Sequence, residues 1–418
     1  MKIGNGRLVS LFVLACGTIH ADNVVTDWNT IASTTIVTNG GKSPAPSGVW
    51  FAYSSLAVYD AVNAITGQYQ PFYYRIAAPA NASIAAAAAA AAHRVLVNYF
   101  PSQQTALDSQ FTASLAGIAD GGDKTAGVAV GEAAAMAIIS ARMGDGLEAN
   151  ISYTPGSGPG AWIPTPPAYA VPVAPWLGQM RPFTMKAAAD FLPDGPTALN
   201  SEDWKRDYNL TRLYGGTDST IRSTAETEIG VFYTEHTGQQ YARMFTLVTA
   251  NNLGVEDSAR MMAMFWTGFA DAAIGCFNAK YKFGFWRPVT AIPIGGGTNG
   301  FVTSTDTPAD PTWAPAGGAT PAHPEYPAAH GCITGSVSTL IADFFGTTRV
   351  TVAIDSKAFT DGLHQHVLTD TRNLMDEVFW ARIYAGFHFY HSLEAGRQLG
   401  QSVAGQVVRN HFRQLQPR

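Results

Sequence analysis

Lys280-Tyr-Lys-Phe-Gly-Phe-Trp-Arg287-Pro288, His323-Pro-Glu-Tyr-Pro-Ala-Ala-His330 and Ala381-Arg382-Ile-Tyr-Ala-Gly-Phe-His388 are the segments on which the reading of this chain turns. Among them stand Lys280, Arg287, Arg382 and three histidines, with no clustered carboxylates and no paired cysteines. That inventory suits a tetrahedral oxyanion, which charge-assisted hydrogen bonds hold strongly. It does not suit a divalent metal, so none is expected. Seven residues separate Lys280 from Arg287, almost two helical turns, so an unbroken helix would place both on one face and end near Pro288. Pro324 and Pro327 fix the backbone between His323 and His330. A helical pattern starts after Gly331, so residues 329–331 fall at a helix N-terminus, where free N–H groups favour an anion. A histidine there can act as acid or base near neutral pH. Arg382 and His388, six apart, would diverge by about 120° on a continuous helix. Gly386 lies between them and predicts a break that turns both toward one site. Taken singly, each residue reads equally well as an exposed basic side chain or a structural histidine. The combination carries the reading.

Around these segments the periodicity is helical almost throughout. Apolar residues recur at spacings of three and four over Val49–Ile65 and over 83–99, 103–118 and 123–143, with Pro101 and Gly121-Gly122 as breaks. The all-alanine run from Ala85 to Ala92 predicts a helix packed closely on its neighbours. Ser201 and the Ser223-Thr-Ala-Glu226 spacing read as helix starts. Long helices are expected over about 226–248 and 256–280, and a final helical region over about 369–413. The main strand candidate lies around Thr347–Ile354, and 294–324 reads as a long loop. Residues 154–182 carry eight prolines and read as an extended arm anchored by Trp162, Tyr169 and Trp176.

The chain has 418 residues, 46% hydrophobic and 14% charged, enough for two or three packed units with little disorder. A net charge of −5 offers no global field for nucleic acid, so no nucleic-acid partner is expected. Lys2, Arg7 and the apolar Leu8–Ala15 read as a signal peptide over 1–21, cut near Ala21. A lipoprotein box ending at Cys16 is the rival reading. Either predicts a secreted or periplasmic protein, in which Cys276 and Cys332 pair or stay free. No other segment reads as a membrane span.

The pattern Lys-x6-Arg-Pro, Pro-x-x-His, Arg-x5-His resembles that of the vanadium haloperoxidase and type 2 phosphatidic acid phosphatase (PAP2) superfamily, in its bacterial haloperoxidase-like branch. Phe285-Trp-Arg-Pro-Val-Thr-Ala-Ile292, Pro324-Glu-Tyr-Pro327 and Glu394-Ala-Gly396 share the likeness, which covers roughly 200–412. The resemblance implies an all-α fold of two helical bundles, vanadium chloroperoxidase and acid phosphatase-like. The expected layout is an N-terminal helical region over 22–200, with its arm at 154–182, and a catalytic domain over 201–418. It implies vanadate as cofactor, or phosphate as the substrate group, held by Lys280, Arg287, Arg382 and the Ala329 N–H. His388 would be the axial ligand to vanadium and His330 the acid–base group. The expected partners are hydrogen peroxide, a halide and a small organic acceptor, or a phosphate monoester; a homo-oligomer stays open. His323 matches a histidine of the bromoperoxidases where chloroperoxidases carry phenylalanine, which favours bromide or iodide.

Two positions depart from that pattern. Ala328 replaces the usual serine, and losing one such hydrogen bond costs about 1–3 kcal/mol. Ser392 stands where an aspartate often orients the catalytic histidine, leaving Glu394 or His391 to substitute. The alternatives are a secreted acid phosphatase working through a phosphohistidine at His388, and a helical scaffold whose catalysis has decayed.

Overall fold

The computed structural model describes residues 23–249, 253–297 and 305–415. The expected signal peptide, with Cys16, lies outside these residues. The described chain is all-α, with thirteen α-helices and one β-hairpin. Helices α1 (Val24–Ser33), α2 (Pro44–Thr66), α3 (Ile84–Tyr99), α4 (Gln104–Ala116) and α5 (Gly122–Ala141) build the N-terminal bundle. After the arm come α6 (Glu202–Gly215), α7 (Thr224–Phe232), α8 (Thr237–Thr249), α9 (Val255–Phe283) and α10 (Pro288–Ile294). Then follow α11 (Ala329–Phe345), the hairpin β1 (Val352–Ser356) and β2 (His364–Leu368), α12 (Thr371–Tyr384) and α13 (Tyr390–Asn410). The C-terminal bundle is α9, α11, α12 and α13.

Composition explains the packing. In α3, Ala86 to Ala92 are all buried, and their small side chains let α2 and α5 approach closely, as the alanine run predicts. One helix among those described, α5, is long and apolar enough by length and composition to cross a membrane; here it lies against α3. The 29-residue α9 packs against both α2 and α11, so one apolar core runs through both bundles. Phe51 of α2 stacks on Trp266 of α9 with ring centroids 3.9 Å apart. Helices α11 and α13 meet at glycines; a Cβ on Gly400 would stand 2.0 Å from the Cys332 carbonyl oxygen and 2.7 Å from Ser336 N.

Four expectations are corrected. The helix expected over 226–248 is two, α7 and α8, broken at Tyr233–His236 although its apolar periodicity runs on. Lys280 and Arg287 do not share a helix: α9 ends at Phe283 on the left-handed Gly284 (φ 56°), and Arg287 is the residue before α10. The strand candidate around Thr347–Ile354 has a partner that was not foreseen, β2, paired antiparallel with Val352 opposite Leu368. Of the three aromatic anchors, Trp162 is fully buried and Trp176 meets Trp50 edge-on, but Tyr169 is 65% exposed.

The arm lies over the surface, as expected, and is also bonded to the site. Trp162 N–H donates to Gly284 O (2.7 Å) and Trp286 N–H to Gly160 O (2.9 Å), so the arm pairs with the turn between Lys280 and Arg287. Val173 N–H donates to Ala322 O at 2.8 Å, beside His323. Where the arm ends, the Asp271 carboxylate of α9 accepts from Phe183 N–H and Thr184 N–H, both at 2.7 Å.

Gly400→Ala tests the helix contact that fixes α11. The added methyl must push α13 from α11, so unfolding is expected to become easier by about 1–3 kcal/mol. Chemical denaturation, with the midpoint shifted at unchanged slope, measures it.

Candidate functional site

The three segments and one helix break converge on a cavity of about 290 Å³. Its wall includes His323, Ala329, His330, Arg382 and His388, with Tyr233, Thr234 and Thr237 from the α7–α8 break and the apolar Pro44, Val173, Phe277 and Phe387. Lys280 and Arg287 stand directly behind this wall, both fully buried. The predicted break between Arg382 and His388 is real: Gly386 is left-handed (φ 74°), and a Cβ there would meet Gly215 O at 2.3 Å. His330 is the second residue of α11, as expected, and Ala329 the first. The early N–H groups of that helix lack partners in a preceding turn.

Each cation is solvated by carbonyls. Lys280 Nζ donates to Pro324 O (2.8 Å) and Glu325 O (2.9 Å), which leaves one of its three donors. Arg287 donates from Nε to His323 O and from Nη1 to Phe387 O, both at 3.0 Å. Arg382 Nη1 donates to Tyr233 O at 2.7 Å, its guanidinium lies 4.7 Å over the Phe387 ring, and its buried Nε has no partner. Burial pushes Lys280 down to about 8 and lowers both arginines.

The His388 tautomer follows from a donor that can only donate. Arg287 Nη1 lies 3.1 Å from His388 Nε2, so that nitrogen accepts and the ring proton sits on Nδ1. Nδ1 in turn lies 2.8 Å from Glu325 Oε1, which also accepts from Phe389 N–H at 3.0 Å. For His323 the same logic fixes no tautomer, because its Nδ1 faces both a donor, Arg287 Nη2 at 2.9 Å, and an acceptor, Pro324 O at 3.1 Å. His330 Nε2 lies 3.2 Å from the Thr237 hydroxyl. Burial first, then the neighbouring cations, hold all three histidines well below their usual pKa, so they are neutral.

Glu325 is the residue that motif reading left without a role. It is fully buried, and burial raises its carboxyl to about 7. Neither expected substitute reaches His388: Glu394 is turned to Arg397 and Gln398, and His391 donates from Nε2 to Gly195 O while stacking on Tyr326. Ser392 instead donates to the backbone O of Glu325 at 3.3 Å and accepts Ala328 N–H on its own carbonyl at 2.9 Å. The available signal was that Glu325 is the one carboxylate inside the three quoted segments.

An oxyanion fits this charge balance. Three buried cations stand near one buried carboxylate, Glu325, whose Oε1 is taken by His388 and Phe389; Glu235, on the cavity wall, is already paired with Arg243 at 2.6 Å. The orphaned Arg382 Nε and the spare Lys280 donor supply further hydrogen bonds.

Residues 260–417 match the family described as the VCPO second helical-bundle domain. No curated protein matches the chain. Among solved structures, a bacterial vanadium-dependent iodoperoxidase superimposes with a TM-score of 0.76 at 22% identity, over 94% of this chain and 97% of that one. A holo-type bacterial vanadium-dependent chloroperoxidase gives 0.68 at 17%, over 90% and 94%, and an apo-type one 0.67 at 17%, over 88% and 95%. The C-terminal bundle thus matches that family model, and the fold of the chain is the one these bacterial vanadium-dependent haloperoxidase structures share.

Proposed function

We propose that this chain is a vanadate-dependent haloperoxidase that oxidises bromide or iodide with hydrogen peroxide to hypohalous acid. The observation that carries the reading is the excess of buried positive charge around a neutral His388 whose Nε2 lone pair accepts from Arg287 Nη1. Vanadate, when bound, supplies the activation of peroxide toward halide. The remaining work falls to the chain's own groups. Lys280, Arg287, Arg382 and the Ala329 N–H would hold the oxyanion's oxygens, and His388 Nε2 would bind it directly. Displacing Arg287 Nη1 from His388 Nε2 frees both for the ligand.

Glu325 keeps His388 in the required tautomer. As a carboxylate it accepts the Nδ1 proton, fixes the ring and raises the basicity of Nε2. His330, neutral and beside Thr237, takes and returns a proton at Nε2 on the cavity side. His323 lies on the same wall and supports the bromide or iodide preference. That the iodoperoxidase superimposes best of the three structures compared agrees with this direction.

One paired assay decides between this reading and a phosphatase. Vanadate-loaded protein is given peroxide, bromide or iodide, and an organic halogen acceptor; the vanadate-free protein is given an aryl phosphate. Halogenation that is lost in His388→Ala is expected. Absent halogenation at every vanadate level, with His388-dependent phosphate release, would replace it with phosphohistidine chemistry. Inactivity in both assays would leave a scaffold.

The pH profile follows from the two shifted groups. Glu325 must be ionised, so kcat/KM rises as pH passes about 7, and Lys280 must be charged, so it falls as pH passes about 8 in the free enzyme. A bell peaking between these values is expected. Glu325→Gln should lower vanadate affinity about 10–100-fold and remove the ascending limb. A Gln variant that keeps that limb would clear Glu325 of the role.

A further inference from the structure

Cys276 and Cys332 take no part in the chemistry above, yet they lie at the back of the site. Cys276 is on α9, one turn before Lys280; Cys332 is on α11, two residues after His330. Both side chains are fully buried. Their Sγ atoms stand 2.6 Å apart as free thiols, and Cys276 Sγ also lies 3.6 Å from Pro327 O. A disulfide needs sulfurs about 2.0 Å apart, so little backbone movement separates the pair from a bond. Their chain neighbours Phe277 and Ile333 form part of the cavity wall, so an oxidant in the cavity is one residue from each sulfur.

We propose that hydrogen peroxide oxidises Cys276 and Cys332 to a disulfide that ties the Lys280 helix to the His330 helix. In the first step one thiol sulfur bonds to a peroxide oxygen as the O–O bond breaks, giving a sulfenic acid and one water. In the second, the other sulfur forms the S–S bond as the S–O bond breaks, and the hydroxyl leaves with the second thiol's proton as another water. Two thiols lose two electrons and one peroxide gains them, so the balance closes. Lys280 carries its charge close to Cys332 and eases formation of the thiolate there. Burial and the neighbouring thiol raise Cys332, which makes the step slow but leaves it open to an oxidant present at every turnover.

Two consequences give the bond a function. It closes a covalent ring around the stretch that carries Lys280, Arg287, His323, Glu325 and His330. It also removes both thiols from further oxidation to sulfinic and sulfonic acids, which would place new charge against Lys280. The inference leans on the proposed activity only for the source of peroxide at this cavity.

The test adds peroxide directly, so it stands or falls apart from any halogenation assay. The full chain is reduced, freed of reductant, exposed to equimolar peroxide, denatured, alkylated and digested without reduction. Mass spectrometry should find the Cys276 and Cys332 peptides joined and lighter by two hydrogens, with neither sulfur alkylated. The melting temperature should rise on oxidation and return on reduction; the rise should be absent in Cys276→Ala and Cys332→Ala. If one variant does not fold, the peptide map of the unaltered chain still decides. Two alkylated thiols after peroxide, oxygenated cysteines without the cross-link, or a link to Cys16 instead would overturn the proposal.

Discussion

Lys280, Arg287 and Arg382 are removed from water with no carboxylate paired to any of them; Glu325, the buried carboxylate nearby, is bonded to His388 instead. Taking a charge into a protein interior costs several kcal/mol per ion even after relaxation, so an unpaired trio needs other compensation. Here it comes from backbone carbonyls: Pro324, Glu325, His323, Phe387 and Tyr233 each accept from one of the three cations. A carbonyl can turn away from a helix only where the helix stops. The breaks at 233–236 and 385–388, and the irregular stretch 321–327, are therefore the places where the fold solvates its own charge. An arriving oxyanion meets groups already dehydrated and aimed, which is why such interactions are strong in a site of this kind.

This explains where reading the chain succeeded and where it stopped. Helix periodicity located α2, α3, α4 and α5 to within a few residues, and local chemistry named the Ser201 and Ser223 caps, both confirmed by side-chain hydrogen bonds. Gly386 announced its break because glycine is what a left-handed turn with a close neighbour demands. The break between α7 and α8 had no such marker: Tyr233-Thr-Glu-His236 contains neither glycine nor proline, and its reason is the distant Arg382 that needs the Tyr233 carbonyl. Similarly, Lys280 and Arg287 keep a helical spacing that the structure does not use.

Glu325 shows the same boundary at the level of chemistry. Comparison along the sequence located a missing carboxylate at Ser392 and looked for a substitute nearby, at 391 and 394. The substitute comes from 63 residues upstream, and Ser392 holds its backbone in place. An orienting carboxylate has to satisfy a distance and an angle, not a position in a motif, and only the folded chain fixes those. His391 and Glu394 sit in the right stretch and point elsewhere.

The hydrogen bonds between the 160–162 stretch and the 284–286 turn join parts of the chain more than a hundred residues apart. Closing so long a loop is entropically costly and tends to come late in folding. Until it closes, nothing from the arm braces the turn that spaces Lys280 from Arg287. Capacity to retain an oxyanion thus becomes a report on maturation: a chain in which this loop has not yet closed, or one severed within its proline-rich span, would hold every chemically active side chain and still have no shaped place for the anion. Ligand loading is thereby tied to completion of the whole molecule rather than to its C-terminal half.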